Sequence, residues 1–427
     1  MLGVWRRLGE LPPWLRVLML GQVVTSAGAL AWTYLSLYLV AGRALTPAVA
    51  GIVAACFGGG LITGSFGGGW FGDRYGVRRS LLASQSGWIV LCLCVPVSPT
   101  WALAGVVGAA GLVAGASRPL IFALVGAALP VQRRREGMAW SRTASNLGFT
   151  IGPPLGALLA AYDFRLIFVA DALTSAVFAL LVWRWVPYDG SAARPAAPAT
   201  RGGLVRALRA DPRVVMMLAA VLVVDTVYRQ ISTPLPLLLR HLGYAPIAYG
   251  LLIAANGVII VGFEAPIAVA LRHRRAPAVI ASGFALVGAG FLAIAAVPSL
   301  ASAAVAIVVI TAGEMLYKPT ATAHVADSAP EGMVGRYQSL YAGASIGGTL
   351  FGPALGGFAY QHAPALIWPV CGVLAGLAAA VVWRTGRRRL PVPPLAVPSS
   401  DGPHPLLPRR EALPGGLPDR EGVRPPG

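Results

Sequence analysis

Pairs of opposite charge stand near the middle of two long apolar stretches, where ionisable side chains are rare and usually functional. Asp225 and Arg229 are four residues apart, so on a helix they share one face. Glu314 and Lys318 repeat that spacing in the second stretch. Two interpretations remain open. Either each acid neutralises its own base and fixes the helix geometry, or an acid, Asp225 before Glu314, exchanges a proton for substrate in a cavity that is alternately wet and dry.

Ionisable and aromatic residues within the apolar stretches are candidates for the wall of that cavity. They are Arg118, Arg229, Lys318, Asp171, Tyr34 and Tyr228. If the two acids face two bases, Arg118 is the mid-membrane charge left over, which favours a neutral, zwitterionic or anionic apolar compound over a simple cation. The tyrosines would supply an adaptable aromatic wall, and core packing is the alternative interpretation for either of them.

The elements that would position these residues are membrane-spanning helices. Of 427 residues, 56% are hydrophobic and only 12% are charged, which is too few charges to cover a soluble surface of this size. Apolar stretches of at least about 18 residues predict twelve spans. They are 15–39, 48–70, 80–97, 102–129, 138–161, 165–186, 214–239, 248–271, 276–297, 301–325, 336–360 and 366–383.

The second half of the chain repeats the first with an offset of 200 residues. Arg118-Pro119 returns as Lys318-Pro319, and the string Gly-x-x-x-Gly-Pro-x-x-Gly occurs twice in register. Its residues are Gly148, Gly152, Pro153 and Gly156, then Gly348, Gly352, Pro353 and Gly356. A duplicated membrane half with helices interrupted by glycine and proline indicates a transporter with its site between the halves, although plain helix packing would also explain the strings. We therefore expect an all-α membrane protein, with two six-helix pseudo-repeats around a central cavity.

The net charge of +18 is concentrated in alternate loops, as the positive-inside rule requires of a protein with both termini in the cytoplasm. We expect a multi-pass protein of the cell membrane and no nucleic-acid partner. The predicted parts are a cytoplasmic N-terminus (1–14), a first half (15–186), a cytoplasmic linker (187–213), a second half (214–389) and a disordered tail (390–427). Within the linker, 204–209 is amphipathic and predicts a short helix on the lipid surface.

Catalytic and metal-binding patterns are missing from the predicted spans. No His, Cys, Ser and acid grouping has the spacing of a nucleophile or a metal site, so we expect no enzyme, no metal and no cofactor. The one lysine, Lys318, lies inside a span, which excludes a phosphate-binding loop of the Gly-Lys-Ser/Thr type. Transport would therefore run on an ion gradient or on the gradient of the substrate itself.

A short charged loop after the second span reads Gly-x-x-x-Asp-Arg-x-Gly-x-Arg-Arg. Its residues are Gly69, Asp73, Arg74, Gly76, Arg78 and Arg79. With this loop the chain resembles the major facilitator superfamily over residues 15–383. The resemblance implies twelve spans and a cytoplasmic gate at the loop, and the Gly-Pro string on span five implies the drug:proton antiporter class. Because Asp73 needs a partner at the end of its helix, we expect it to face the start of span eleven near Arg336.

These features predict a proton-coupled exporter of drug-like or secondary-metabolite molecules that works by alternating access as a monomer in the lipid bilayer. An importer or facilitator of a defined nutrient or siderophore is the alternative within the same fold. A non-transporting membrane scaffold or sensor is an alternative of another class. Replacing Asp225 separates either transporter from the scaffold, because only a transporter needs a carboxylate there.

Overall fold

The computed structural model describes residues 11–130, 134–187, 201–271, 273–330 and 333–387, and these ranges are helical without any β-strand. The helices are α1 (Pro13–Ala27), α2 (Leu30–Leu37), α3 (Pro47–Tyr75), α4 (Val77–Cys94), α5 (Leu103–Ala128), α6 (Arg134–Tyr162), α7 (Arg165–Trp185), α8 (Arg201–Ala210), α9 (Pro212–Tyr228), α10 (Pro234–His241), α11 (Pro246–Leu271), α12 (Ala276–Ala296), α13 (Leu300–Asp327), α14 (Val334–His362) and α15 (Ile367–Arg387). The predicted all-α fold is confirmed.

Ten helical segments in the described ranges are long and apolar enough to cross a membrane. They correspond to predicted spans one to four, six to ten and twelve. Spans five and eleven are present as the 29-residue helices α6 and α14, which are not among the ten. The chain is thus a multi-pass membrane protein, and the total of twelve crossings stays a prediction.

The linker helix is present as α8, Arg201–Ala210, which contains the predicted amphipathic segment. Residues 188–200, most of the predicted N-terminus and the tail from 388 lie outside the described residues. The largest cluster of buried hydrophobic side chains runs through both halves, from Leu30 in α2 to Val382 in α15. The two halves therefore share a core.

Span one is interrupted at Gly28 and Ala29, between α1 and α2. At Gly28 the backbone passes so close to α7 that a Cβ would overlap the hydroxyl of Thr174. The carboxylate of Asp171, also on α7, accepts a hydrogen bond from the backbone N–H of Ala31 at 3.0 Å. That bond supplies an acceptor for a backbone N–H of the first turn of α2 that has none within its own helix.

Span seven is interrupted at the equivalent place. Helix α9 ends at Tyr228, a single 3₁₀ turn covers Arg229–Ile231, and α10 begins at Pro234. Proline suits that first position because it has no N–H to leave unpaired and its φ angle is already helical. Each half of the chain thus begins with a helix broken in its middle.

The glycines of the two repeated strings pack against these broken helices. Gly148 and Gly152 of α6 lie against α1, and Gly348 and Gly352 of α14 lie against α9. A Cβ at any of the four would come within 2.5–2.6 Å of its neighbours, so only glycine permits this approach. The same residue pattern makes the same helix contact in both halves.

The prolines of the strings face the opposite half. The carbonyl oxygen of Pro153 would lie 2.8 Å from a Cβ on Gly250 of α11, and the carbonyl of Pro353 touches Gly51 of α3. The last glycines of the strings, Gly156 and Gly356, lie against side chains of their own half, Tyr34 in the first case. Helices α6 and α14 therefore pack on their own half with one face and on the other half with another.

Candidate substrate and proton site

Helices α3 and α14 come from different halves, touch at one end and separate at the other. Gly51, Gly58 and Gly69 share one face of α3, because residues 51 and 69 are about five turns apart. A Cβ on Gly51 or Gly58 would overlap the backbone of α14, whereas one on Gly69 would meet nothing within 4 Å. On α14, Gly357 touches α3, while Gly343, about four turns away, again faces open space. The gap widens toward the predicted cytoplasmic ends, here called the inner side.

The opposite, outer side is closed by contacts between the halves. The rings of Tyr34 and Tyr249 meet edge to face with centroids 5.7 Å apart. The hydroxyls of Ser36 and Thr233 lie 3.1 Å apart in a buried hydrogen bond. Tyr34 is 1% exposed and donates its hydroxyl proton to the carbonyl of Pro153 at 2.6 Å. The structure therefore places Tyr34 in the outer seal and not on an open cavity wall.

Glu314 is the centre of a hydrogen-bonded cluster that joins α9, α11 and α13. Its Oε1 lies 2.6 Å from Nζ of Lys318, so the pair expected from the sequence is formed. Its Oε2 accepts bonds from the hydroxyl of Tyr228 at 2.7 Å and the amide of Asn256 at 3.4 Å. The ammonium of Lys318 also lies 4.2 Å from the centroid of the Tyr228 ring, a cation–π contact. Both oxygens of Glu314 are thus bound.

Asp225 is bound on one side only. It is 3% exposed, and its Oδ1 accepts a 2.5 Å hydrogen bond from the hydroxyl of Tyr317 on α13. Its Oδ2 is buried and has no hydrogen-bond partner in the described part of the chain.

The expected ion pair between Asp225 and Arg229 is not formed. Arg229 follows the end of α9 at Tyr228, and although its backbone N–H still donates to the carbonyl of Asp225, its side chain makes no ion pair with the carboxylate. Its Cβ packs instead against Gly352, and its Nε is buried without a hydrogen bond. Of the two interpretations left open by the sequence, neutralisation of Asp225 by its own base is therefore not the one that the structure shows.

Arg118 on α5 is exposed, and its guanidinium carbon lies 5.7 Å from the centroid of the Phe122 ring. No hydrogen bond or ion pair joins it to another described residue. Arg142 on α6 is close enough to repel it electrostatically.

Arg142 itself pairs with Glu264 of α11. Its Nη2 lies 2.6 Å from Oε1, so the pair links the two halves. Sequence reasoning missed Arg142, whose only signal was a charge inside the fifth predicted span.

Asp171 is separate from both clusters. It is 1% exposed, and its second oxygen accepts a bond from the indole N–H of Trp88 at 2.8 Å while the first binds Ala31. Both oxygens are thus used to hold the start of α2 and the side chain of Trp88. The structure places Asp171 in a structural contact between helices, not among the cavity charges.

The charged loop forms the turn between α3 and α4. Gly76 has a φ of 88°, a conformation that favours glycine. Arg78 donates to the carbonyl of Val182 at 3.5 Å and to that of Trp183, so it caps the last turn of α7. Arg74 lies over the ring of Trp70 at 5.6 Å, and Arg79 is exposed.

Asp73 in the same loop is exposed and makes no hydrogen bond or ion pair with the residues that the structure describes. The expected contact with the start of span eleven near Arg336 is not made. The physical reason is the open inner side, since α3 and α14 have separated at this level.

The comparison with known proteins agrees with this geometry. The sequence matches the Major Facilitator Superfamily over residues 17–345. The chain belongs to the major facilitator superfamily. It is 23% identical over 358 residues to the "Uncharacterized MFS-type transporter YttB" of Bacillus subtilis (strain 168), covering 82% of this chain and 89% of that protein.

Solved transporters share the fold of this superfamily member. A POT family transporter in complex with a thioalcohol-conjugated peptide has a TM-score of 0.75 at 15% identity, covering 87% of this chain and 95% of its own. A mutant of the nucleoside transporter NupG has a TM-score of 0.75 at 12% identity, covering 86% and 99%. The chain is thus a secondary transporter with the major facilitator fold, and the family is one of transporters, not of enzymes.

Proposed function

We propose that this transporter exports drug-like or secondary-metabolite molecules in exchange for protons, with Asp225 as the residue that carries the proton. The observation that supports this role is the buried, unpartnered Oδ2 of Asp225. A buried carboxylate oxygen without a hydrogen-bond partner costs about 1–3 kcal/mol or more. A proton removes that cost, and alternating access would expose the carboxyl group to each side of the membrane in turn.

Glu314 is the second proton candidate in this proposal. Its ion pair with Lys318 and the hydroxyl of Tyr228 already compensate its charge. Protonating Glu314 would leave the ammonium of Lys318 without its partner, and breaking a buried pair on one side is costly. We therefore assign the first protonation to Asp225 and a supporting role to Glu314.

The charges without ion partners bear on the substrate. Arg118 and Arg229 make no ion pair within the described ranges, and Asp225 is an unpaired acid beside them, so the positive excess is one charge while Asp225 is ionised and two when it is protonated. A mid-membrane cavity with this excess attracts anions. We propose that the substrate is an apolar molecule with a negative or zwitterionic group and that Tyr228 contributes to the aromatic wall.

Export is proposed from the resemblance of the Gly-Pro strings to those of antiporters. Import of a defined nutrient is the second candidate, because the solved structures with the same fold include transporters of a peptide and of a nucleoside. We also propose that both termini are cytoplasmic and that the inner side faces the cytoplasm, on the distribution of arginines.

Transport in proteoliposomes of defined orientation tests this function. With the predicted cytoplasmic face outward and an acidic lumen, an exporter that exchanges protons will accumulate an anionic fluorescent dye. An importer coupled to protons will accumulate its substrate in the opposite orientation with an acidic exterior. Asp225→Asn should abolish gradient-driven accumulation but retain exchange of labelled for unlabelled dye.

The matched control is Asp163→Asn, an exposed acid outside the spans whose carboxylate binds only the N–H of Arg165 among its described neighbours. It should transport like the native protein, and Glu314→Gln should lower the rate. Gradient-driven accumulation that survives in Asp225→Asn would remove Asp225 from the coupling mechanism.

A further inference from the structure

A cavity of about 310 Å³ lies on the outer side, above the contact between Tyr34 and Tyr249. It is here called the outer pocket. Its wall includes Leu37, Ala41, Phe164, Leu239, Arg240 and Tyr249. Tyr249 belongs to both the pocket wall and the outer seal, so the seal separates the pocket from the space that opens to the inner side. The volume is at the lower end for small-molecule sites, enough for a compound of one or two rings.

The chemistry of the wall indicates one class of ligand. Aliphatic and aromatic side chains form most of it, while Arg240 brings a guanidinium group and Tyr244 a hydroxyl. Arg240 is exposed, and its guanidinium group makes no hydrogen bond or ion pair with the described residues. Among the described residues, no acid lines the pocket. An apolar pocket with one convergent cation suits a small apolar molecule bearing a carboxylate or sulfonate.

The two halves of the chain contribute opposite walls. Ala41 and Phe164 belong to the first half, whereas Leu239 and Arg240 belong to the second. A ligand in the pocket therefore touches both walls only while the outer side is closed. Because a ligand stabilises the arrangement that it binds best, occupation would favour this arrangement over one that is open to the outside.

We propose that the outer pocket is a second binding site, distinct from the central one, which takes a small apolar anion from the outside and holds the outer side closed. The bound anion slows the transport cycle in either direction, since each cycle has to open the outer side. This inference does not depend on export or on proton coupling, so it can fail or hold independently of the proposed function.

Binding of 4-(trifluoromethyl)benzenesulfonate to the protein in lipid nanodiscs, followed by ¹⁹F NMR, tests the site. This probe keeps its charge at every working pH and does not cross a bilayer. We expect saturable binding that is at least tenfold weaker in Arg240→Gln and lost in Ala41→Phe, which fills the pocket. Arg240→Lys should retain most of the affinity, and Arg165→Gln, an exposed outer arginine that does not line the pocket, should retain all of it.

A second measurement adds the probe, during transport, to the compartment of the proteoliposomes that the outer side faces. The rate should fall with the same concentration dependence as the NMR signal, and the Ala41→Phe variant should be insensitive. If the probe binds equally to all four variants, or binds empty nanodiscs as well as loaded ones, it only partitions into lipid, and the proposed site is refuted. Binding without any change in the transport rate would overturn its effect on the outer seal. Asp225→Asn should bind the probe normally, which separates this test from the one for proton coupling.

Discussion

The ion pair between Arg142 and Glu264 is the contact whose removal should most directly change the ratio of the two arrangements of the transporter, one closed and one open on the outer side. It joins α6 to α11 across the halves, with Nη2 and Oε1 2.6 Å apart. The side chain of Arg142 is 52% exposed and that of Glu264 is 21% exposed. We predict that Glu264→Gln lowers the population of the arrangement described here, in which the pair is formed and the outer side is closed.

The exposure of the two side chains sets the magnitude. Two unit charges about 4 Å apart interact with about 1 kcal/mol in water and about 4 kcal/mol at an effective dielectric constant of 20. Ion pairs with exposed partners measure about 0.2–1 kcal/mol because water screens them. With one partner half exposed we expect about 1 kcal/mol. Since 1.4 kcal/mol corresponds to a factor of ten, the ratio of the two arrangements should change about fivefold.

A double-mutant cycle measures this coupling. Spin labels on cysteines introduced at Gly69 and Gly343, where the structure has room, report the inner distance in nanodiscs after the native cysteines are replaced. Arg142→Gln and Glu264→Gln should each shift the distance distribution, and the double variant should shift it no further. Reversing the pair, with Arg142→Glu and Glu264→Arg together, should restore it. A coupling energy below about 0.2 kcal/mol, or a reversed pair that behaves like the single variants, would refute a role for this contact.

Two further predictions follow from close contacts. Gly58→Ala should lower the population of the arrangement with a closed outer side, because a Cβ there overlaps the backbone of α14. Gly69→Ala, on the same face, should leave that population unchanged. Spin labels on the outer ends of the helices measure both. Asp171→Ala should lower the thermal stability in detergent by about 1–3 kcal/mol, since it leaves the indole and a backbone N–H without an acceptor, while Asp163→Ala should have little effect. Equal stabilities of the two Asp variants would contradict the structural role of Asp171.

The helices and the internal repeat were predictable because both depend on local properties. A segment in lipid must satisfy its own backbone hydrogen bonds, so an apolar stretch of sufficient length becomes a helix. The pair of Glu314 and Lys318 was predictable for the same reason, since α13 continues through both residues. The identical spacing gave no ion pair for Asp225 and Arg229, because the Arg229 side chain packs against Gly352 of α14.

By itself, the sequence determined a helical membrane transporter of two similar halves, and it identified most of the ionisable residues within its spans. Only the tertiary structure decided which of them meet. Tyr317 reaches Asp225 across 92 positions of the chain, and Arg142 reaches Glu264 across 122. Such partners depend on where each helix is interrupted and how it is rotated against its neighbours. Both are set by packing between helices that are distant in the chain: the sequence shows which faces carry glycine, but only the fold shows which helix each face meets.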